Sequence, residues 1–567
     1  MDFARKFLVI AILTAVGILP VFSVLVEVEQ GTLRGETVTF VEEKHVNISA
    51  KIDVFKGVPF AEKPIRFRPP EPKQKWEGIL DALAFTLPCS QYLDPSYYPD
   101  PSQQSDDCLY LNVYAPSETT NKLPVMVFIH GGAYIVGTSM SNDASGIPMA
   151  AIGNVVVVTV NYRLGAHGFL DTGDEASSGN YGLLDQAEAL RWVRRNIGAF
   201  GGNSSMVTLF GESAGAGSVD FHVLSKYSRD LFDQAILESG TSTAPWSFAD
   251  KFEQSKVTEA FKLGRLVNCN SPNTHELVEC LRQVDSRTLE ETVAVNEIRM
   301  GPTIDGVFLE ESPVIMTERG DFKHCPMMIG INKDEGTLNI LFLFPESYTS
   351  SIPPFISKTK FNEMVHNTLE TYNNNVTSIL EDSVKQEYVD WSKWDTEGHD
   401  YFETIVSVSS DQLFGCPATL AARAHASMTS EPLYFYYMTH APTVSIYSID
   451  GYGPTWMGAG HGEELQFVFG YPFIPEKSGF SSVPEEEKEL SVKFIRYWTN
   501  FARTGDPSRV TTSSAPGTGE WAWPVFTIPE LQYKELSLNM STGRGLKADQ
   551  CAYWNNFKPS LQTYLGK

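Results

Sequence analysis

The sequence predicts an α/β fold built on a large, mostly parallel central sheet flanked by helices. Three observations carry that prediction. Short β-branched apolar runs recur along the chain, they do not alternate with polar residues, and segments of helical spacing lie between them. Unalternating runs suit strands buried on both faces, and alternation of strands with helices implies parallel pairing.

Taken in order, the runs are Pro124 to His130, Val155 to Asn161, Met206 to Phe210, Gln234 to Leu237, Met327 to Ile331 and Leu433 to Met438. Between them, Leu183, Leu184, Ala187, Leu190, Val193, Arg194 and Ile197 keep one helix face mostly apolar, with Gly198 as a stop. Leu490, Phe494, Ile495, Trp498 and Phe501 repeat at the same spacing near the end, closed by Gly505 and Pro507. No linker, low-complexity tract or internal repeat divides the chain, so one large domain is expected over residues 24–567.

Residues 1–23 read as a secretory leader. Arg5 and Lys6 precede an apolar run from Phe7 to Phe22, and Val21 and Ser23 suit a cleavage site. That run is 16 residues, short of the roughly 20 a spanning helix needs. A secreted, extracellular protein without a membrane anchor is expected. Composition agrees with a folded chain: of 567 residues, 42% are hydrophobic and only 20% charged. The formal net charge of −25 argues against nucleic acid and anionic membranes as partners. The seven cysteines include no CxxC pair, which argues against a structural zinc site. Cys89 with Cys108, and Cys269 with Cys280, could close short loops. Sequons at Asn47, Asn375 and Asn539 are candidate glycosylation sites; a fourth, Asn203, lies in a turn close to the serine motif below and is a doubtful one.

The sharpest chemical signal is Gly211-Glu212-Ser213-Ala214-Gly215, which follows an expected strand and precedes an expected helix. A G-x-S-x-G there puts a serine Oγ on a strained turn, and flanking glycines remove Cβ atoms that would clash. The following helix directs its free N–H groups at developing negative charge. His130-Gly131-Gly132-Ala133, after another expected strand, offers backbone N–H groups to an oxyanion. An acid and a histidine are expected later in the chain, in that order. Glu335 and Asp334 both stand at the end of one strand, and spacing does not separate them. His461, between Gly460 and Gly462, is the glycine-flanked histidine after the last strand.

These motifs resemble the type-B carboxylesterase and cholinesterase family of α/β-hydrolases. The likeness runs from Phe55-Lys56-Gly57-Val58-Pro59 to Cys551-Ala552-Tyr553-Trp554, and is most specific at Asp106 to Asn112, Asn161-Tyr162-Arg163, Gly179 to Gln186 and Phe210 to Gly215. The resemblance implies an α/β-hydrolase fold, with Ser213 as nucleophile, Glu335 as acid and His461 as base. It implies Gly132, Ala133 and Ala214 as oxyanion donors, and bridges Cys89–Cys108, Cys269–Cys280 and Cys416–Cys551, leaving Cys325 free. Glu212, Tyr98, Trp246 and Leu338 are the candidate substrate-binding residues. The pattern departs at Ala133, where the family carries a third glycine. The chemistry requires no metal and no organic cofactor.

The expected activity is that of a serine carboxylesterase acting on neutral esters. The resemblance implies that a cholinesterase would take the choline cation by cation–π contact with a tryptophan in the first disulfide loop; here that loop has Tyr92, Tyr97 and Tyr98 but no tryptophan, and Leu338 and Asn339 follow the acid where cholinesterases carry aromatic residues. A lipase, a cholinesterase and a non-catalytic adhesion protein of the same family are the competing readings.

Overall fold

The computed structural model describes residues 22–92, 103–117, 119–248, 255–372, 376–448, 454–475, 477, 479–511, 515 and 517–566. Most of the expected leader, Tyr97, Tyr98 and Asn375 lie outside the described residues.

The strands are β1 (Phe22–Val28), β2 (Gly31–Glu42), β3 (Ile48–Pro59), β4 (Ile79–Asp81), β5 (Tyr110–Pro116), β6 (Leu123–Ile129), β7 (Val156–Val160), β8 (Asp171–Asp174), β9 (Ser177–Ser178), β10 (Gly202–Glu212), β11 (Gln234–Glu238), β12 (Met327–Asn332), β13 (Leu433–Met438), β14 (Gln532–Leu536) and β15 (Thr542–Arg544). All but β8 and β9, which form a small ribbon, belong to one mixed sheet. Its order is β1-β2-β3-β5-β7-β6-β10-β11-β12-β13-β14-β15, with β4 beside β2.

The six apolar runs of the sequence are β7, β6, β10, β11, β12 and β13. They are consecutive neighbours in the sheet and pair in parallel. Their residues divide between two cores. On β6, Val125, Val127 and Ile129 join the core on one face, while Met126 and Phe128 join the other. On β12, Met327, Ile329 and Ile331 take the first face and Met328 the second. Full burial of each such side chain stabilises by about 1.5–3 kcal/mol, which is why the runs carry no Asp, Glu, Lys or Arg and few polar residues.

The strands before β6 escape that signal. β1, β2, β3 and β5 pair antiparallel, and β5 pairs antiparallel with β7. β2 is mostly half-buried or exposed, so it lacks the continuous apolar run that marks a central strand.

Helices cover both faces. Tyr181–Asn196 ends differently from its sequence reading. The chain tightens into a 3₁₀ turn over Ile197–Phe200, and Gly201, at φ 82°, is the left-handed stop rather than Gly198. Glu485–Thr504 closes on Gly505 at φ 75°, as its glycine predicts. Disulfides join Cys89 to Cys108, Cys269 to Cys280 and Cys416 to Cys551; Cys325 is a free, buried thiol. The carboxyl ends of β10 to β13 lie side by side, which is where open α/β sheets place their sites.

Candidate active site

Ser213 stands between β10 and the helix Ala214–Leu224. Its φ of 57° and ψ of −123° are strained for a residue with a side chain. Packing enforces the turn. A methyl group on Gly211 would lie 2.6 Å from the Ile129 carbonyl oxygen, and one on Gly215 would overlap that same carbonyl. From below, the Ser213 N–H donates to the Glu238 carbonyl at 2.8 Å. The elbow is therefore clamped between β6 and β11, and Ser213 stays partly accessible.

The glycine loop lies against the serine. A methyl on Gly131 would come 2.9 Å from Ser213 Cβ, and Ala133 and Tyr134 hold φ of 53° and 63°. Among the described residues, the backbone N–H groups of Gly132, Ala133 and Ala214 donate to no protein acceptor. Three free donors beside a serine suit an oxyanion. The other motifs of the sequence brace this loop. Gln91, next to the Cys89–Cys108 bridge, exchanges two 2.9 Å hydrogen bonds with the Gly137 backbone. Ser139 N donates to Asn161 Oδ1 at 2.8 Å, and Tyr162 Oη donates to the His130 carbonyl at 2.9 Å. Arg163 grips Asp185 through two 2.7 Å bonds in the buried interior.

On the opposite side, Glu335 follows β12 and His461 follows β13 on a long loop. His461 Nδ1 donates to Glu335 Oε2 at 2.6 Å. The other carboxylate oxygen, Oε1, accepts from Ser239 Oγ at 2.5 Å and from Asn332 N at 2.7 Å. Asp334 turns away: its backbone N–H donates to the Ala459 carbonyl, and its Oδ2 accepts the Ala459 N–H at 2.9 Å, so it ties down the histidine loop. Asn332 Nδ2 and Tyr447 Oη add bonds to the carbonyls of Gly460 and His461, at 2.8 and 2.9 Å.

His461 Nε2 lies 3.1 Å from Glu212 Oε1 and, among the described residues, makes no directed hydrogen bond. Its bond to Ser213 Oγ is thus unmade here, as is common before substrate binds. Burial alone would lower the His461 pKa, but Glu212 and Glu335 outweigh it and the net shift is upward. Burial also pushes the Glu212 carboxyl up to about 7, with His461 opposing and Glu335 adding to the rise.

Of the remaining sequence candidates, Glu212 is buried against His461. Trp246 is half-buried, donates from Nε1 to the Leu413 carbonyl at 2.9 Å, and packs on Phe414. Leu338 is half-buried in the helix Thr337–Leu343, one turn beyond Glu335. Tyr98 lies outside the described residues. Asn47 and Asn539 are exposed, and Asn203 caps its own turn through the Ser205 N–H. Sequence reading missed Ser239, Glu238, Glu464 and Phe414, whose ring sits 4.6 Å from that of His461. The first two sit in Glu238-Ser239-Gly240 at the end of β11, a polar cluster at a strand end, and that was their available signal.

Known proteins resemble this chain over most of its length. The model of the carboxylesterase family matches residues 23–554. The chain is 36% identical, over 556 residues, to the acetylcholinesterase of Bungarus fasciatus, covering 94% of this chain and 86% of that protein. Both relationships support a hydrolase acting on esters, of the serine carboxylesterase and cholinesterase kind. With a family match over nearly its whole length, on a 13-stranded sheet that carries a G-x-S-x-G elbow, the chain belongs to the carboxylesterase family.

Proposed function

We propose a secreted serine esterase that hydrolyses neutral carboxylic esters through an acyl-enzyme. The observation that carries this reading is the buried Glu335–His461 bond beside the strained Ser213 elbow. Ser213 Oγ attacks the ester carbonyl carbon and its proton passes to His461 Nε2. The oxyanion is held by the N–H groups of Gly132, Ala133 and Ala214, each donor lowering the barrier by about 2.7–4 kcal/mol. Collapse breaks the bond to the alkoxide, which takes the proton from His461. Water, deprotonated by the same imidazole, then cleaves the acyl-serine. Glu335 holds the ring and stabilises the imidazolium. No described helix is long and apolar enough to cross a membrane, and three disulfides suit an oxidising compartment. Removal of residues 1–23 before maturation, leaving a single catalytic domain, belongs to the same proposal.

The preference for neutral esters rests on Leu338 and Asn339 beyond the acid and on the lack of a tryptophan in the Cys89–Cys108 loop. A second reading, cholinesterase, is favoured by the acetylcholinesterase homologue and by the buried Glu212. The test is kcat/KM for acetylthiocholine against an uncharged thioester of equal acyl length. A ratio below one supports the proposal; a ratio well above one favours the second reading. Absence of turnover on every short-chain ester would favour a non-catalytic role, and a preference for long-chain emulsions a lipase.

A further inference from the structure

Behind His461 lies a buried row of acids that the reaction above does not use. Sheet register sets Glu212 on β10 beside Glu238 on β11, Glu238 beside Gly330 on β12, and Gly330 beside Tyr436 on β13. Residues in register on parallel strands project from the same face, with strands about 4.8 Å apart. Gly330 leaves its place open, and the Tyr436 ring fills it: a methyl on Gly330 would overlap that ring. Trp498, from the helix Glu485–Thr504, closes the row from above. Its Nε1 donates to Glu238 Oε1 at 2.9 Å and its ring lies 5.4 Å from that of Tyr436. Glu464, held by Asn332 Nδ2, closes it from the histidine loop.

All of these side chains are buried, and Glu238 is 0% exposed. Four of their oxygens, Glu212 Oε1, Glu238 Oε2, Glu464 Oε1 and Tyr436 Oη, have no hydrogen-bond partner among the described residues. The groups facing Glu238 are Glu212, Glu464, Tyr436 and the Trp498 N–H. Among the described residues no lysine or arginine pairs with any of these carboxylates, and His461 is the one cationic partner, touching Glu212 and Glu335. Two carboxylates on adjacent rungs of a dry sheet cannot both ionise.

We propose that Glu238 is a positioning residue that keeps its proton at neutral pH, so that Glu212 alone of the pair carries the negative charge presented to His461. The geometry assigns the roles. Glu212 has the imidazole 3.1 Å away, whereas Glu238 has only an indole N–H. The backbone of Glu238 also carries the carbonyl that accepts the Ser213 N–H, so its side chain anchors the strand end under the nucleophile. Burial, opposed by the Trp498 hydrogen bond and reinforced by Glu212, pushes the Glu238 carboxyl up.

This inference rests on the esterase reading for its kinetic arm, and its spectroscopic arm is independent of that reading. Infrared difference spectra at pH 7 should show a protonated-carboxyl stretch that disappears in Glu238→Gln and persists in Glu212→Gln. Persistence of the whole band in Glu238→Gln would overturn the proposal, whatever the protein hydrolyses. In pH–rate profiles, Glu238→Ala should lose about tenfold or more in kcat, and Glu238→Gln, neutral and able to hydrogen-bond, should recover most of it with the acid limb unmoved. Glu212→Gln should move that limb to lower pH. An acid limb displaced equally by Glu238→Gln and Glu212→Gln would show that Glu238 is charged and would overturn the assignment. Should Glu238→Ala fail to fold, the Gln variant and the infrared band still decide the matter.

Discussion

The two sides of the site are built by different means. On the serine side, van der Waals packing sets position: Gly211 and Gly215 leave no room for a methyl against Ile129, and Ser213 between them is held at φ 57°. On the histidine side, the side chain sits on a long loop, held by hydrogen bonds donated by Asn332 and Tyr447 and accepted by the carboxylates of Asp334 and Glu335. A packed side tolerates no added volume. A bonded side is sensitive to loss of charge or donors.

That contrast can be broken deliberately. The largest effect is expected from Glu335→Gln, which keeps the shape but exchanges a carboxylate for an amide at His461 Nδ1. Loss of the correct tautomer should lower kcat by about 10⁴-fold with little change in Tm. A loss under tenfold would mean that packing alone holds the ring. Gly215→Ala should act the other way. Overpacking against the Ile129 carbonyl should cost about 1–3 kcal/mol, seen as a lower Tm, together with lost activity as the elbow shifts. A variant with native Tm and native kcat would show that the elbow has slack.

A smaller effect concerns pH. The base must be neutral to act, and the His461 pKa is raised because Glu212 and Glu335 outweigh its burial. Activity should therefore fall as pH drops through a value above the ordinary histidine range of about 6.5. Glu212→Gln removes one of the two raising charges, so its acid limb should shift to lower pH. A shift to higher pH would contradict the electrostatic account. The smallest effect is chemical. Cys325 is buried, and burial pushes its thiol up to about 12. Native protein should resist thiol reagents at neutral pH, whereas denatured, unreduced protein should titrate about one thiol. Three or more would contradict the bridges.

The same contrast explains what could be read from sequence. Packing leaves a local trace. Gly211, Gly215, Gly131 and Gly132 are glycines because neighbouring atoms exclude anything larger, so the elbow and its loop stood out as motifs, and the six central strands stood out as apolar runs. Hydrogen bonds between distant segments leave none. Nothing near Glu335 in sequence announces that Ser239 and His461 will meet it, so spacing left Glu335 and Asp334 level until family likeness separated them. Only the fold shows Asp334 bonded to Ala459 instead. Phe414 reaches His461 from a turn of π-helix at Asp411–Gly415, an irregularity with no periodic signature. The edge strands β1 and β2 carry no continuous apolar run because they are half-exposed, and in the buried β5 the polar Asn112 interrupts it.

The central claim is that Ser213 is the nucleophile of an esterase. The direct measurement is to treat the protein with an organophosphonate ester, follow loss of esterase turnover, and locate the adduct by peptide mass spectrometry. One adduct per chain on Ser213, formed in step with the loss of activity and absent from Ser213→Ala, is the predicted result. Full turnover in Ser213→Ala, or an adduct on a different residue that tracks the inactivation, would contradict it.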